Sequence, residues 1–177
     1  RQEITAPTTT TRTRWSFRVR LPAQNRLSVA TFNARGLRDF ANLMALTREM
    51  KRRNIDVLLL QEHNVKRDAV ANTVSHLQRV EIYSAWSCSG SPEERGGAAI
   101  LIRPCAASAL RVLVDHSKGD HLNGGLCMIE ATIGSDPVRI ASVYVSSKSS
   151  DRKVFINDLE NHSLISSDTI IAVSYTH

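Results

Sequence analysis

The stretch Asp56-Val57-Leu58-Leu59-Leu60-Gln61-Glu62 runs four aliphatic residues into an amide and a carboxylate. A second run upstream, Leu27-Ser28-Val29-Ala30-Thr31-Phe32-Asn33, ends in the same manner on Asn33. Continuous or near-continuous apolar runs belong to strands inside a sheet that is covered on its faces. A carboxylate at the tip of such a strand is costly to bury unless it meets a cation or a hydrogen-bond network. Two neighbouring strands that deliver amide and carboxylate oxygens to one sheet edge are suited to a hard metal ion. By the residues alone, Glu62 reads equally as a turn cap or an arginine partner, and Asn33 as a helix N-cap.

Working outward, the periodicity predicts a helix over 38–53, with Phe40, Leu43, Met44, Leu46 and Met50 near helical spacing and basic residues at its end. A second helix is predicted over 66–79, with Val70, Val74 and Leu77 on one face. Strands follow over 81–88, 98–103, 110–115, 125–133 and 138–145, then a short helix over 151–162 and a last apolar strand over 169–173. Two β-α units followed by a hairpin-rich stretch predict an α/β sandwich with mixed sheets.

The 177 residues suffice for one domain with a real core. No apolar stretch approaches the length that crosses a bilayer, so no membrane partner is expected. Three cysteines without Cys-x-x-Cys spacing argue against a disulfide framework and a zinc site. Each is expected to pack as a small buried hydrophobe, in an intracellular setting, nuclear or cytoplasmic, rather than a secreted one. The net charge is +6, but residues 1–26 hold six arginines and one acid, Glu3, leaving 17 basic against 16 acidic residues in the remainder. Residues 1–26 therefore read as a basic, Thr/Arg-rich disordered leader, with an extended piece at Trp15–Val19. Such a leader is also able to hold phosphates without sequence preference.

The order of motifs resembles the endonuclease/exonuclease/phosphatase superfamily, the DNase I-like fold of apurinic endonucleases, retrotransposon endonucleases and inositol-phosphate phosphatases. Four stretches carry the resemblance across residues 27–172: Thr31-Phe32-Asn33-Ala34-Arg35-Gly36-Leu37, Leu60-Gln61-Glu62-His63, Arg95-Gly96-Gly97-Ala98-Ala99-Ile100-Leu101-Ile102, and Ile140-Ala141-Ser142-Val143-Tyr144 with Arg152 and Phe155 downstream. The first two look most like the endonuclease domain of non-LTR retrotransposon polyproteins. The resemblance implies Mg²⁺ (or Mn²⁺) as cofactor, with Glu62 as its carboxylate ligand and Asn33 as a neutral partner on metal or phosphate. It implies a catalytic role for Tyr144, whose hydroxyl donates to a phosphate oxygen as charge develops there. Tyr144 is otherwise an ordinary core residue with its hydroxyl at the rim. Arg95, Ser147 and Arg152 are the candidate phosphate or DNA contacts. His63 follows Glu62 directly, so strand alternation turns it to the other face, and it is not expected to be a ligand.

The resemblance also has gaps. The family's apolar strand ends in Gly-Asp-Phe-Asn, whose Asp helps activate water. Here Thr169-Ile170-Ile171-Ala172 runs into Val173-Ser174-Tyr175-Thr176-His177. The family's later Asp-His pair has no counterpart. The sequence therefore predicts a partial DNase I-like α/β sandwich missing its C-terminal part, with 173–177 a non-native terminus. The expected function is that of an incomplete Mg²⁺-dependent phosphodiesterase, which intact nicks DNA within a longer reverse-transcriptase polyprotein and here is inactive. An inositol-phosphate or lipid phosphatase of the same fold is the alternative, as is a non-catalytic nucleic-acid-binding remnant. The acidic loop 89–95 favours DNA over a small phosphorylated head group.

Overall fold

The computed structural model describes residues 14–20, 26–37, 39–88, 96–113, 124–145, 149–161 and 169–175. The strands are β1 (Arg14–Arg20), β2 (Arg26–Asn33), β3 (Val57–Gln61), β4 (Tyr83–Ser87), β5 (Ala98–Ile102), β6 (Ala109–Val112), β7 (Leu126–Ile133), β8 (Asp136–Val145) and β9 (Thr169–Tyr175). The α-helices are α1 (Phe40–Arg52), α2 (Val70–Arg79) and α3 (Ser149–Asn161). Five strands form one sheet in the order β1-β2-β3-β5-β4, and four form a second in the order β6-β7-β8-β9. Both sheets are mixed: β2–β3 and β8–β9 are parallel, and the other pairings are antiparallel. The architecture is thus the expected α/β sandwich.

The side-chain period of two explains how the layers assemble. Leu27 and Val29 of β2, Val57 and Leu59 of β3, and Ile100 and Ile102 of β5 face Cys127, Ile129, Ile140 and Ala172 of the second sheet. The intervening residues, among them Phe32, Leu58, Leu60 and Leu101, pack outward under Leu43, Leu46 and Met50 of α1 and Leu77 of α2. On the far side, Phe155 of α3 covers Leu126, Met128, Ala141 and Val143. Strands β3 and β5 are buried along their whole length, as their unbroken apolar runs require. Helix α1 starts one turn after β2, where the Asp39 carboxylate accepts the Ala41 N–H at 2.8 Å.

Some details differ from the sequence reading. The extended piece expected at Trp15–Val19 is a full strand: residues 14–20 form β1 on the edge of the first sheet, in antiparallel register with β2 from Arg14↔Phe32 to Arg20↔Arg26. The alternation of Trp15, Phe17 and Val19 with polar neighbours suits such an edge. Strand β9 runs past Val173 to Tyr175, where it pairs with Val145. Cys88 and Cys127 are buried as expected, but Cys105 is exposed. It sits in a 3-10 turn, where its sulfur accepts hydrogen bonds from the Arg103 guanidinium. Among the described residues no helix is long and apolar enough to cross a membrane.

Candidate phosphate and metal site at the strand ends

The inner faces of the two sheets change character toward one end. Following the register upward, the apolar residues of β2, β3, β8 and β9 give way to Thr31, Gln61 and Ser142, and then to Asn33, Tyr144 and Ser174. The first of these polar layers closes on itself. Thr31 Oγ1 donates to Gln61 Oε1 at 3.0 Å, Gln61 Nε2 donates to Ser142 Oγ at 3.0 Å, and Ser142 Oγ donates to the Leu60 carbonyl at 2.8 Å. Gln61 and Ser142 are fully buried, so this satisfied network ties the two sheets together directly beneath the mouth.

At the mouth, Asn33 spans the sheets. Its Nδ2 donates to Ser174 Oγ at 3.0 Å, and its Oδ1 accepts the Arg35 N–H at 3.1 Å. The second bond is an Asx-turn that bends the chain away from β2. Since Asp39 caps α1, the N-cap reading of Asn33 does not hold. Ser174 is the register partner of Tyr144 across the parallel β8–β9 pair. The Tyr144 ring in turn lies against Gly96, where an added Cβ would come within 2.8 Å of Cε1.

Glu62 closes the circuit. Its N–H donates to the Gly97 carbonyl at 2.8 Å, and its own carbonyl accepts the Gly36 N–H at 2.8 Å. Asn64 pairs with Gly96 through a backbone bond at 2.8 Å and through its side-chain oxygen, which accepts the Gly96 N–H at 2.7 Å. Three loops are thereby stapled edge to edge: 33–37, 61–65 and 96–97. The staples hold Glu62 at φ +55°, a left-handed conformation that costs a non-glycine residue about 1 kcal/mol or more. Its side chain is half-buried, and among the described residues nothing pairs with the carboxylate.

His63 is part of the scaffold. It is fully buried, with Nε2 3.1 Å from the Ser87 carbonyl and Nδ1 accepting the Val65 N–H at 2.9 Å. This pattern assigns the proton to Nε2. Burial pushes its pKa down to about 4, against the raising effect of the Ser87 and Ala98 backbone contacts. The ring fills the space beside Gly97, where a Cβ would come within 2.4 Å of Nε2, and Trp86 meets it edge-on at 4.9 Å. A histidine with both nitrogens engaged does not serve as a ligand or a base at the mouth.

Asn33, Glu62 and Tyr144 therefore meet at one end of the sandwich, linked through Gly96–Gly97 on one side and Ser174 on the other. Arg152 is exposed in the first turn of α3, and Arg95, Ser147 and His177 lie outside the described residues. The sequence reading missed Ser174, because a serine near a strand end carries no ligand signature. Only the pairing of β9 with β8 brings it to Asn33. Among the described residues, no three of His, Cys, Asp and Glu gather into a metal-binding group, and burial raises the Cys88 thiol to about 11 and the Cys127 thiol further still. Among the described residues, Asn33, Glu62, Tyr144 and Ser174 bring one carboxylate, one amide and two hydroxyls to the mouth. These are hard oxygen donors and O–H groups rather than soft ligands or a nucleophilic pair.

No family model matches the chain, and no curated protein matches it in sequence. Solved structures do match its fold. An AP endonuclease from Archaeoglobus fulgidus matches with a TM-score of 0.53 at 19% identity, over 77% of this chain and 49% of its own. The endonuclease domain of TRAS1, a telomere-specific non-LTR retrotransposon, matches with a TM-score of 0.53 at 14% identity, over 82% and 57%. The 3′ phosphatase NExo from Neisseria, bound to a product DNA hairpin, matches with a TM-score of 0.55 at 18% identity, over 82% and 56%. This chain thus spans about half the length of those structures. It has, in part, the DNase I-like fold of the endonuclease/exonuclease/phosphatase superfamily.

Proposed function

We propose, with the DNase I-like fold as premise, that this chain is part of a Mg²⁺-dependent phosphodiesterase domain acting on DNA, of the retrotransposon-endonuclease kind, and that it turns over no substrate itself. The observation that carries the reading is the closed circuit at the strand ends, in which Asn33, Glu62, Tyr144 and Ser174 are joined through hydrogen bonds, strand register and the Gly96–Gly97 staple. A carboxylate held in a strained, half-buried position without a described partner is a poor structural element and a good cation ligand. Magnesium suits the donor set, because it keeps several waters and takes only one or two protein carboxylates. Glu62 would hold it, with the Asn33 amide oxygen beside it. When bound, the ion supplies positive charge against the phosphate and the leaving oxygen. Tyr144 aims a neutral donor at the same region, suited to a phosphate oxygen that gains charge.

The proposed lack of turnover is supported by what surrounds Glu62. Among the described residues no three of His, Cys, Asp and Glu gather around Glu62, and His63 beside it is sealed in the core. Water activation commonly contributes two to four orders of magnitude, and no described group is placed to supply it. DNA as the partner is supported by the NExo and TRAS1 likenesses, whose descriptions name a DNA product and a telomere-specific element. A place within a longer polyprotein and an intracellular setting accord with this reading, as do three unpaired cysteines. The test is supercoiled-plasmid nicking with Mg²⁺. The chain is expected to leave the plasmid intact. Nicking equal in wild type and Glu62→Ala would remove both the proposed inactivity and the role of Glu62.

A further inference from the structure

We infer that the C-terminal end of α1, together with the neighbouring end of α2, is a second nucleic-acid surface that holds a phosphate backbone away from the mouth. Arg48, Lys51, Arg52 and Arg53 fall within six residues of α1 and its C-cap, and Arg79 stands in the last turn of α2. All five are exposed. Lys51 Nζ donates to the Val80 carbonyl at 2.7 Å, which brings the two helix ends together. Over 48–53 and 79–81 the acids are Glu49 and Glu81. Beyond residue 26 the five cations and two acids leave 12 basic against 14 acidic residues for the rest of the chain, so positive charge is gathered at this corner. Helix α1 begins next to the mouth, and its 13 residues carry the chain about 20 Å from it.

Attraction to the helix dipole accounts for cations at such an end, but not for the way these are held. Arg52 grips Glu49 in a bidentate pair, Nε on Oε2 and Nη2 on Oε1, both at 2.8 Å. Arg53 Nε donates to the same Oε1. The two guanidiniums hold the Glu49 carboxyl down at about 2, so the fork stays ionised at neutral pH. The helix-end carbonyls do not need these side chains, since the Arg53 N–H bonds the Glu49 carbonyl and the Asn54 N–H bonds the Lys51 carbonyl. A guanidinium carries five N–H donors. Those not spent on Glu49 have no acceptor among the described residues. One carboxylate therefore fixes two guanidiniums side by side, with net positive charge and most of their donors unused. Phosphodiester oxygens match such donors in charge and geometry, and side chains already ordered lose less entropy on binding. Between Arg48 and Arg53 the one apolar residue, Met50, is buried. The corner thus lacks the apolar anchor with which a helix lies on a membrane surface. Neither Glu62 nor a metal ion enters this argument.

The test is binding of the full chain to a short duplex DNA, read by fluorescence anisotropy across a salt series in EDTA, where a cation at Glu62 contributes nothing. Each phosphate neutralised steepens the fall of log Kobs with log salt by about 0.9. A variant combining Arg48→Gln, Arg52→Gln and Arg53→Gln is expected to flatten that slope by about three. A control with the same charge change elsewhere, Arg111→Gln with Arg139→Gln and Lys153→Gln, leaves the slope nearly unchanged. Glu62→Gln also leaves it at the wild-type value, so this inference and the metal reading fail separately. If the α1 variant unfolds, as circular dichroism would show, Arg79→Gln on the other helix still flattens the slope by about one. A slope unchanged in these variants, or flattened equally in the control, overturns the inference. So does an α1 variant that stops binding phosphatidylserine vesicles while its DNA binding stays at the wild-type level.

Discussion

Acid should loosen this protein through His63. In the fold the imidazole is neutral, with its pKa pushed down to about 4 by burial, against 6.5 when exposed. Between those values the unfolded chain takes up a proton that the folded chain refuses, so stability is full above pH 6.5 and falls as the pH drops toward 4. The slope within that window is about 1.4 kcal/mol per pH unit, and the whole window is worth about 3 kcal/mol. That is a large share of the 5–15 kcal/mol typical of a domain. Protonation would also set a second N–H against the Val65 N–H, which now donates to Nδ1. The staple beside Gly97 and Glu62 should therefore open early. The assay is urea unfolding of wild type and His63→Gln at intervals from pH 4 to pH 7. Carboxylates elsewhere titrate in both proteins, so the difference between the two isolates His63. The variant should be less stable at pH 7, and the gap should narrow by about 3 kcal/mol toward pH 4. A gap that stays constant across the range would refute the buried, neutral assignment.

Further outcomes follow from the same contacts. Gly97→Ala places a Cβ at φ +98° within 2.4 Å of the buried His63 ring. It should lower Tm by several degrees at least, as followed by circular dichroism. Gln61→Leu keeps the volume but removes the amide that joins Thr31 to Ser142; a loss of about 1–3 kcal/mol is expected in urea titration. Strand β9 carries no charged residue and leaves Ile171 and Val173 36% and 52% exposed at a sheet edge. Val173→Lys should reduce self-association measured by light scattering, because edge lysines discourage strand pairing between molecules.

Much of the fold was legible because its central strands are buried on both faces. Val57–Leu60 and Ala98–Ile102 read as unbroken apolar runs, and both are wholly buried in the structure. Helix α1 was legible in its spacing, although Phe40 stays 43% exposed and meets the His76 ring at a tilt rather than entering the core. Strand β1 was legible only as an extended piece within an arginine-rich stretch. Its arginines alternate in sequence with Trp15, Phe17 and Val19, and average charge hides that period. At the site, Asn33 and Glu62 were visible as polar tips on apolar strands. The left-handed turn at Glu62, the sealed His63 and the Ser174 contact depend on three loops and a distant strand meeting. No local pattern encodes such a meeting.

Glu62, as proposed, is a cation ligand at the mouth of the sandwich. Mn²⁺ titration followed by electron paramagnetic resonance tests it most directly, since it needs no turnover. One Mn²⁺ should bind per chain, Mg²⁺ should displace it, and Glu62→Gln should abolish binding while leaving the unfolding curve nearly unchanged. Equal Mn²⁺ binding by wild type and a folded Glu62→Gln would show that Glu62 is not the ligand.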